Sequence, residues 1–91
     1  MSSSREAFRK FEMWRNSRTV LKLTVVTKGG KPEISRGVIV ATDEDCCLVS
    51  FIPRGKRFAP RLDFTDADFR VGKRSVEAAR GEDILSFEET N

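Results

Sequence analysis

Between residues 53 and 74, basic side chains flank an aromatic one. Arg54, Lys56, Arg57 and Arg61 lie on either side of Phe58. Guanidinium and ammonium groups contact phosphates, and an aromatic ring stacks on unpaired bases, so the pattern is typical of a loop that binds single-stranded nucleic acid. The competing interpretation is a solvated surface whose charges have no specific ligand.

A second group of basic side chains lies near the start of the chain, at Arg5, Arg9 and Lys10. The net charge of +3 is unevenly distributed, because residues 1–18 carry +3, residues 53–74 carry +4 and residues 75–91 carry −4. Two basic segments in one small domain favour nucleic acid as a partner. We therefore predict that Arg5, Arg9 and Lys10 form a second basic patch on another face.

The composition argues against an enzyme. The chain has no histidine and no tyrosine, it contains no nucleophile elbow, and Gly29-Gly30 lacks the spacing of a phosphate-binding loop. Asp63, Asp66 and Asp68 lack the glycine and the terminal glutamate of a calcium loop, so exposed turn acids explain them better. We expect no cofactor.

The two cysteines are neighbours, Cys46 and Cys47. A disulfide between adjacent strand residues would be strained and would constrain nothing, so we interpret both as reduced thiols. Without histidine or a second cysteine cluster, we expect no metal site. The sequence shows neither an apolar run of membrane-spanning length nor a signal-peptide pattern, which predicts a cytoplasmic protein that does not contact membrane.

One domain, 1–91, must position these side chains. A helix is predicted over about 4–16, because Ser3 and Glu6 form a capping box. Its apolar stripe should seal the open end of a core. The members of the stripe are Ala7, Phe8, Phe11 and Trp14.

β-branched residues and turn signals then predict five strands. Their expected limits are Thr19–Thr27, Glu33–Thr42, Cys47–Ile52, Ser75–Ala79 and Asp83–Phe87. Residues 53–74 should form an ordered segment between the third and fourth predicted strands, with its aromatic side chains packed against the rest of the domain. Within it, Leu62-Asp63-Phe64 alternates like a strand. The predicted fold is mainly β, with an N-terminal α-helix followed by a strongly bent five-stranded antiparallel small barrel. The pattern alone leaves SH3-like, OB-like and Sm-like barrels open.

Two short motifs resemble those of the Sm-like protein family. Gly37, Ile39, Asp43, Cys46-Cys47 and Leu48 occupy the positions of its first motif, within about 19–52. Ala79-Arg80-Gly81-Glu82-Asp83-Ile84 is similar to the second motif, within about 75–88, after the variable basic segment 53–74. The resemblance implies an Sm-like barrel of the SH3 type. Within it, Gly37 would permit a strand bend, Asp43 would close a turn and Gly81 would connect the last two strands.

The resemblance also implies a homo-oligomeric ring, since in this family the fourth strand of one subunit pairs with the fifth of the next. The side chains expected at that interface are Val76, Ala78, Ile84 and Phe87. Such pairing would protect strand edges and reinforce a small core.

The family binds RNA at the inner rim of its ring, through positions that correspond here to Asp45, Cys47 and Arg80. Only Arg80 matches the family residue, since a thiol cannot replace an amide and an aspartate has no face for stacking. Neighbouring acids would also repel phosphate. We therefore expect RNA to bind at the basic patches instead of the usual uridine pocket. The alternative is an oligomeric scaffold or adaptor that binds other proteins and no RNA.

Overall fold

The helix predicted at the start of the chain forms as α1, Ser4–Ser17, in a computed structural model that describes residues 4–90. The capping role expected of Ser3 lies outside the described residues. Ala7, Phe8, Phe11 and Trp14 are buried along one side of α1, which confirms the apolar stripe. The helix packs chiefly against the second and fifth strands of the sheet.

Seven strands follow instead of the five that were predicted. They are β1 Leu21–Val26, β2 Glu33–Asp43, β3 Leu48–Pro53, β4 Arg61–Asp63, β5 Asp68–Val71, β6 Ser75–Arg80 and β7 Asp83–Glu89. All pair antiparallel in one sheet of order β4-β3-β2-β1-β7-β6-β5. The mainly β character is confirmed, but the five-stranded barrel is wrong, because the sheet has seven strands and does not close on itself.

The two additional strands, β4 and β5, both come from the segment 53–74. β4 pairs with β3 and β5 pairs with β6, so each adds one strand to an end of the sheet. Phe64 and Phe69 are buried, as expected for the aromatics of this segment, whereas Phe58 remains 72% exposed. The short link 64–67 therefore carries the chain from one edge strand of the sheet to the other.

Gly37 lies where the backbone of β3 comes very close to β2. A Cβ atom added at this position would lie 2.0 Å from the carbonyl oxygen of Ile52 and 2.9 Å from the Cα of Pro53. No other residue type fits so close an approach of β3 to β2. A bulge between Ile39 and Ala41 adds further curvature to the same strand.

The concave side of the curved sheet encloses an aromatic core. Phe11 of α1 contacts Phe8 of the same helix at a ring-centroid separation of 5.2 Å, and three rings from outside the helix, at 5.7 Å to Phe64, 6.3 Å to Phe69 and 5.2 Å to Phe87. Trp14 is fully buried, and its indole N–H donates to a carboxylate oxygen of Glu89 at 3.2 Å. The helix is thus part of the core.

The strands expected to join neighbouring subunits are paired within the chain. β6 lies between β5 and β7, and β7 lies between β6 and β1, so neither strand has a free edge. Val76, Ala78 and Phe87 are at most 1% exposed, while Ile84 is 38% exposed. The first three are therefore core residues of the single chain, and of the four side chains expected at the interface Ile84 is the exposed one. The edge strands of the sheet are β4 and β5.

Candidate nucleic-acid interface

The basic loop, residues 54–61, begins with a tight turn at the end of β3. The backbone N–H of Lys56 donates to the carbonyl of Pro53 at 3.1 Å, and Gly55 between them has φ +82°. A residue with a Cβ would be strained at this angle. The backbone N–H of Arg54 donates to the carbonyl of Arg36 at 2.6 Å, so the start of the loop is held against β2.

The far end of the basic loop is also fixed. The backbone N–H of Phe51 donates to the carbonyl of Pro60 at 3.3 Å, and Arg61 pairs with Ser50 as the first residue of β4. Because the start of the loop is tied to β2 and its end to β3, the side chains between them are presented from an anchored turn. Phe58 lies in its middle with 72% of its surface exposed, so its ring is available for stacking.

The positive charge of the basic loop is not neutralised within residues 4–90. In that part of the chain, ion pairs join Lys22 to Glu88, Lys28 to Glu82 and Arg80 to Asp63. None of them involves Arg54, Lys56, Arg57 or Arg61, all of which are exposed. The loop therefore presents four cations and one aromatic ring to solvent, a combination that suits a flexible polyanion.

The basic patch predicted on α1 is smaller than expected. Arg5 and Arg9 are exposed, but the ammonium group of Lys10 donates to the carbonyl of Lys73 at 2.6 Å. The same nitrogen lies 5.7 Å from the centroid of the Trp14 ring, a cation–π geometry. Lys10 thus fastens the helix to the loop before β6, so the exposed cations of this predicted patch are Arg5 and Arg9.

The positions that correspond to the family's RNA pocket have other tasks in this structure. Cys47 has φ 55°, its Sγ lies 3.7 Å from the carbonyl oxygen of Glu44, and its own carbonyl accepts the backbone N–H of Phe64 at 2.8 Å. Asp45 is exposed in the same turn. Cys47 therefore shapes the turn between β2 and β3.

Arg80, the matching residue of the second motif, bridges two distant parts of the sheet. Its Nη1 donates to the backbone carbonyl of Asp63 at 3.3 Å and lies 3.8 Å from the carboxylate of the same residue. Hydrogen bonds from the Thr65 hydroxyl and backbone N–H, at 2.7 and 2.9 Å, lower the pKa of Asp63, and the charge of Arg80 contributes further. Arg80 thus connects the end of β6 to the edge strand β4.

Exposed acidic side chains lie in the two turns beside the positions that correspond to the family's RNA pocket. Asp43 accepts the backbone N–H of Cys46 at 3.1 Å, which closes the β2–β3 turn. A hydrogen bond to Asp43, together with the negative charge of that residue, raises the pKa of the Cys46 thiol. At the β6–β7 turn Gly81 has φ +61°, and Glu82 pairs with Lys28 at 3.3 Å. This region is unfavourable for a phosphate chain.

Three residues without a predicted role lie beside the basic loop. Val20, Val38 and Ile52 line a groove of about 340 Å³ on the convex side of the sheet, together with Arg54 and Lys56. Their β-branched side chains suit a buried strand equally well. Their outward direction follows from their chain neighbours Leu21, Ile39 and Phe51, which are buried on the core side, because successive residues of a strand point to opposite faces. We refer to this feature as the apolar groove.

Neither a metal site nor a membrane-crossing helix is found between residues 4 and 90. That part of the chain contains no group of three or more side chains able to hold a metal ion. Its helix is also too short and too polar to cross a bilayer. No family model, curated protein or solved structure matches the sequence or the fold. What the chain binds must therefore be inferred from the geometry of its own residues.

Proposed function

We propose that the protein binds single-stranded RNA through the basic loop. The observation that carries this proposal is the exposure of Phe58 among four cations that have no ion-pair partner in residues 4–90. A phosphate chain would contact Arg54, Lys56 and Arg57, while an unpaired base would stack on the phenyl ring. Double-stranded RNA does not offer its base faces in this way.

The usual free energies of base stacking and of phosphate contacts indicate what each part of the basic loop would contribute to RNA binding. Stacking of one base on an aromatic side chain is worth about 1–3 kcal/mol. Each neutralised phosphate of a single strand adds about −0.7 to the slope of log K against log salt concentration. Loss of Phe58 should therefore weaken binding without changing the salt dependence, whereas loss of the cations should change both.

The decisive measurement is fluorescence anisotropy with labelled single-stranded RNA of mixed sequence over a series of salt concentrations. Joint substitution Arg54→Ala, Lys56→Ala and Arg57→Ala should reduce the salt slope by about two units and abolish binding at physiological ionic strength. Phe58→Ala should weaken binding by about 1–3 kcal/mol, whereas Phe58→Trp should keep the affinity of the wild type, because an indole also stacks on a base. Binding that survives the triple substitution would refute the proposed site.

A matched control separates the site from general charge. Joint substitution Arg70→Ala, Lys73→Ala and Arg74→Ala removes the same three charges from β5 and the loop that follows it. If the basic loop is the contact surface, this control should retain most of the affinity. Equal loss in both triple variants would indicate unspecific attraction to a basic protein. No RNA binding by the unaltered protein would favour the adaptor alternative.

The relationship to Sm-like proteins remains part of the proposal. Its support is that the first motif spans β2, a closed turn and the start of β3, while the second spans the β6–β7 turn. Because β6 and β7 are paired on both sides, a ring would have to be closed through the free edges of β4 and β5. Light scattering tests this directly, since a mass near 10.3 kDa in solution would exclude a ring.

A further inference from the structure

The apolar groove opens on the convex side of the sheet where β1, β2 and β3 meet. Val20 at its rim is 44% exposed, and Val38 and Ile52 are half-buried in its floor. Its volume of about 340 Å³ is at the lower end of the range for small-ligand sites. The groove is thus large enough for one nucleoside-sized group and too small for a folded segment.

The lining of the groove combines apolar side chains with two cations. Pro53 continues the apolar floor, and Arg54 and Lys56 stand at its edge. Carboxylates are absent from the lining, and neither of these cations has an ion-pair partner in residues 4–90. An apolar surface beside unpaired cations is complementary to a ligand with a flat apolar body and an anionic group attached to it.

Arg54 and Lys56 belong both to this groove and to the basic loop. A phosphate chain held by the loop would therefore pass the mouth of the groove and bring its bases within reach of the floor. We propose, resting on the RNA-binding function above, that the apolar groove takes one unstacked nucleobase whose phosphate contacts Arg54 and Lys56. The floor makes apolar contact with the base face, while Phe58 stacks on a neighbouring base.

Amide chemical shifts measured by NMR test the proposal on the intact chain. The probes are the four nucleoside 5′-monophosphates, ribose 5-phosphate, inorganic phosphate and laurate. Nucleotides should move the amide signals of Val38 and Ile52 as well as those of Arg54 and Lys56. Ribose 5-phosphate and inorganic phosphate should move only the latter two. Equal effects of nucleotides and inorganic phosphate, or an effect of laurate alone on Val38 and Ile52, would overturn it.

A filled groove provides the second test. Val38→Trp places an indole in the groove on a strand position that accepts aromatic residues, and Thr24→Trp makes the same change elsewhere on the convex face, on β1. The first variant should weaken RNA binding by about 5- to 100-fold with an unchanged salt slope, and the second should leave it unaltered. If Val38→Trp binds like the unaltered protein, the groove is not used.

The two proposals fail in different ways. Wild-type RNA affinity in Val38→Trp, together with its loss in the triple variant of the basic loop, would remove the groove and leave the RNA-binding function intact. Undiminished affinity in the triple variant would remove both, because the cations at the groove edge belong to that loop.

Discussion

Phe11 provides the sharpest test of the structure, because it joins α1 to the sheet. Its side chain is fully buried, with four phenylalanine rings at centroid distances of 5.2 to 6.3 Å. Replacement of a buried phenylalanine by alanine costs about 3–5 kcal/mol. A chain of this length is expected to have a free energy of unfolding of about 5–14 kcal/mol. Phe11→Ala should therefore remove a large fraction of the total stability.

Thermal and urea unfolding followed by circular dichroism measure this loss. At about 4–8 °C per kcal/mol, the midpoint of Phe11→Ala should fall by about 12–40 °C. Met13→Ala on the same helix is the control, since that side chain is 47% exposed and its loss should cost less than about 0.5 kcal/mol. If the free energy of unfolding of Phe11→Ala were less than about 1 kcal/mol below that of the wild type, the packing of α1 in the core would be refuted.

Two further substitutions test the sheet. Gly37→Ala should destabilise the protein by about 1–3 kcal/mol or more, because the added Cβ would clash with the carbonyl oxygen of Ile52. In the control Gly30→Ala, the added Cβ meets only the hydroxyl of Thr27, which can rotate away. Similar urea midpoints for the two variants would contradict the close approach of β3 to Gly37. Because the pKa of Asp63 is lowered in the folded state, its ionised carboxylate stabilises the fold at pH values above 3.8, the ordinary pKa of this side chain. This contribution is lost as the pH falls through the lower pKa of the folded state. Asp63→Asn should therefore reduce the melting temperature near about pH 6 and converge with the wild type near about pH 2; a constant difference would exclude the Thr65 hydrogen bonds as its cause.

Local patterns were sufficient for most of the regular structure. The 3.6-residue stripe of α1 and the β-branched runs predicted the helix and five of the seven strands to within two residues at every end. These signals depend only on neighbours along the chain. β4 and β5 have only three and four residues. The alternation of Leu62-Asp63-Phe64 indicated β4 in part, but no local signal indicated β5, and pairing with β3 and β6 defines the two strands.

Like the fold, the candidate site was predictable from the sequence only in part. The sequence itself determined that cations surround an aromatic residue in segment 53–74, that the chain lacks histidine, and that the turns near Asp43 and Glu82 are acidic. Residue types and their spacing are enough for such statements, because charge and stacking ability belong to the side chain wherever it lies.

Only the tertiary structure decided which of these side chains are free. Lys10 and Arg80 look as available in the sequence as Arg54, yet one is bonded to the backbone of Lys73 and the other to Asp63, 17 positions away. The outward direction of Val38 likewise follows from strand register. Partners brought together by the curvature of the sheet leave no trace in local spacing, because their contact depends on the path of the whole chain.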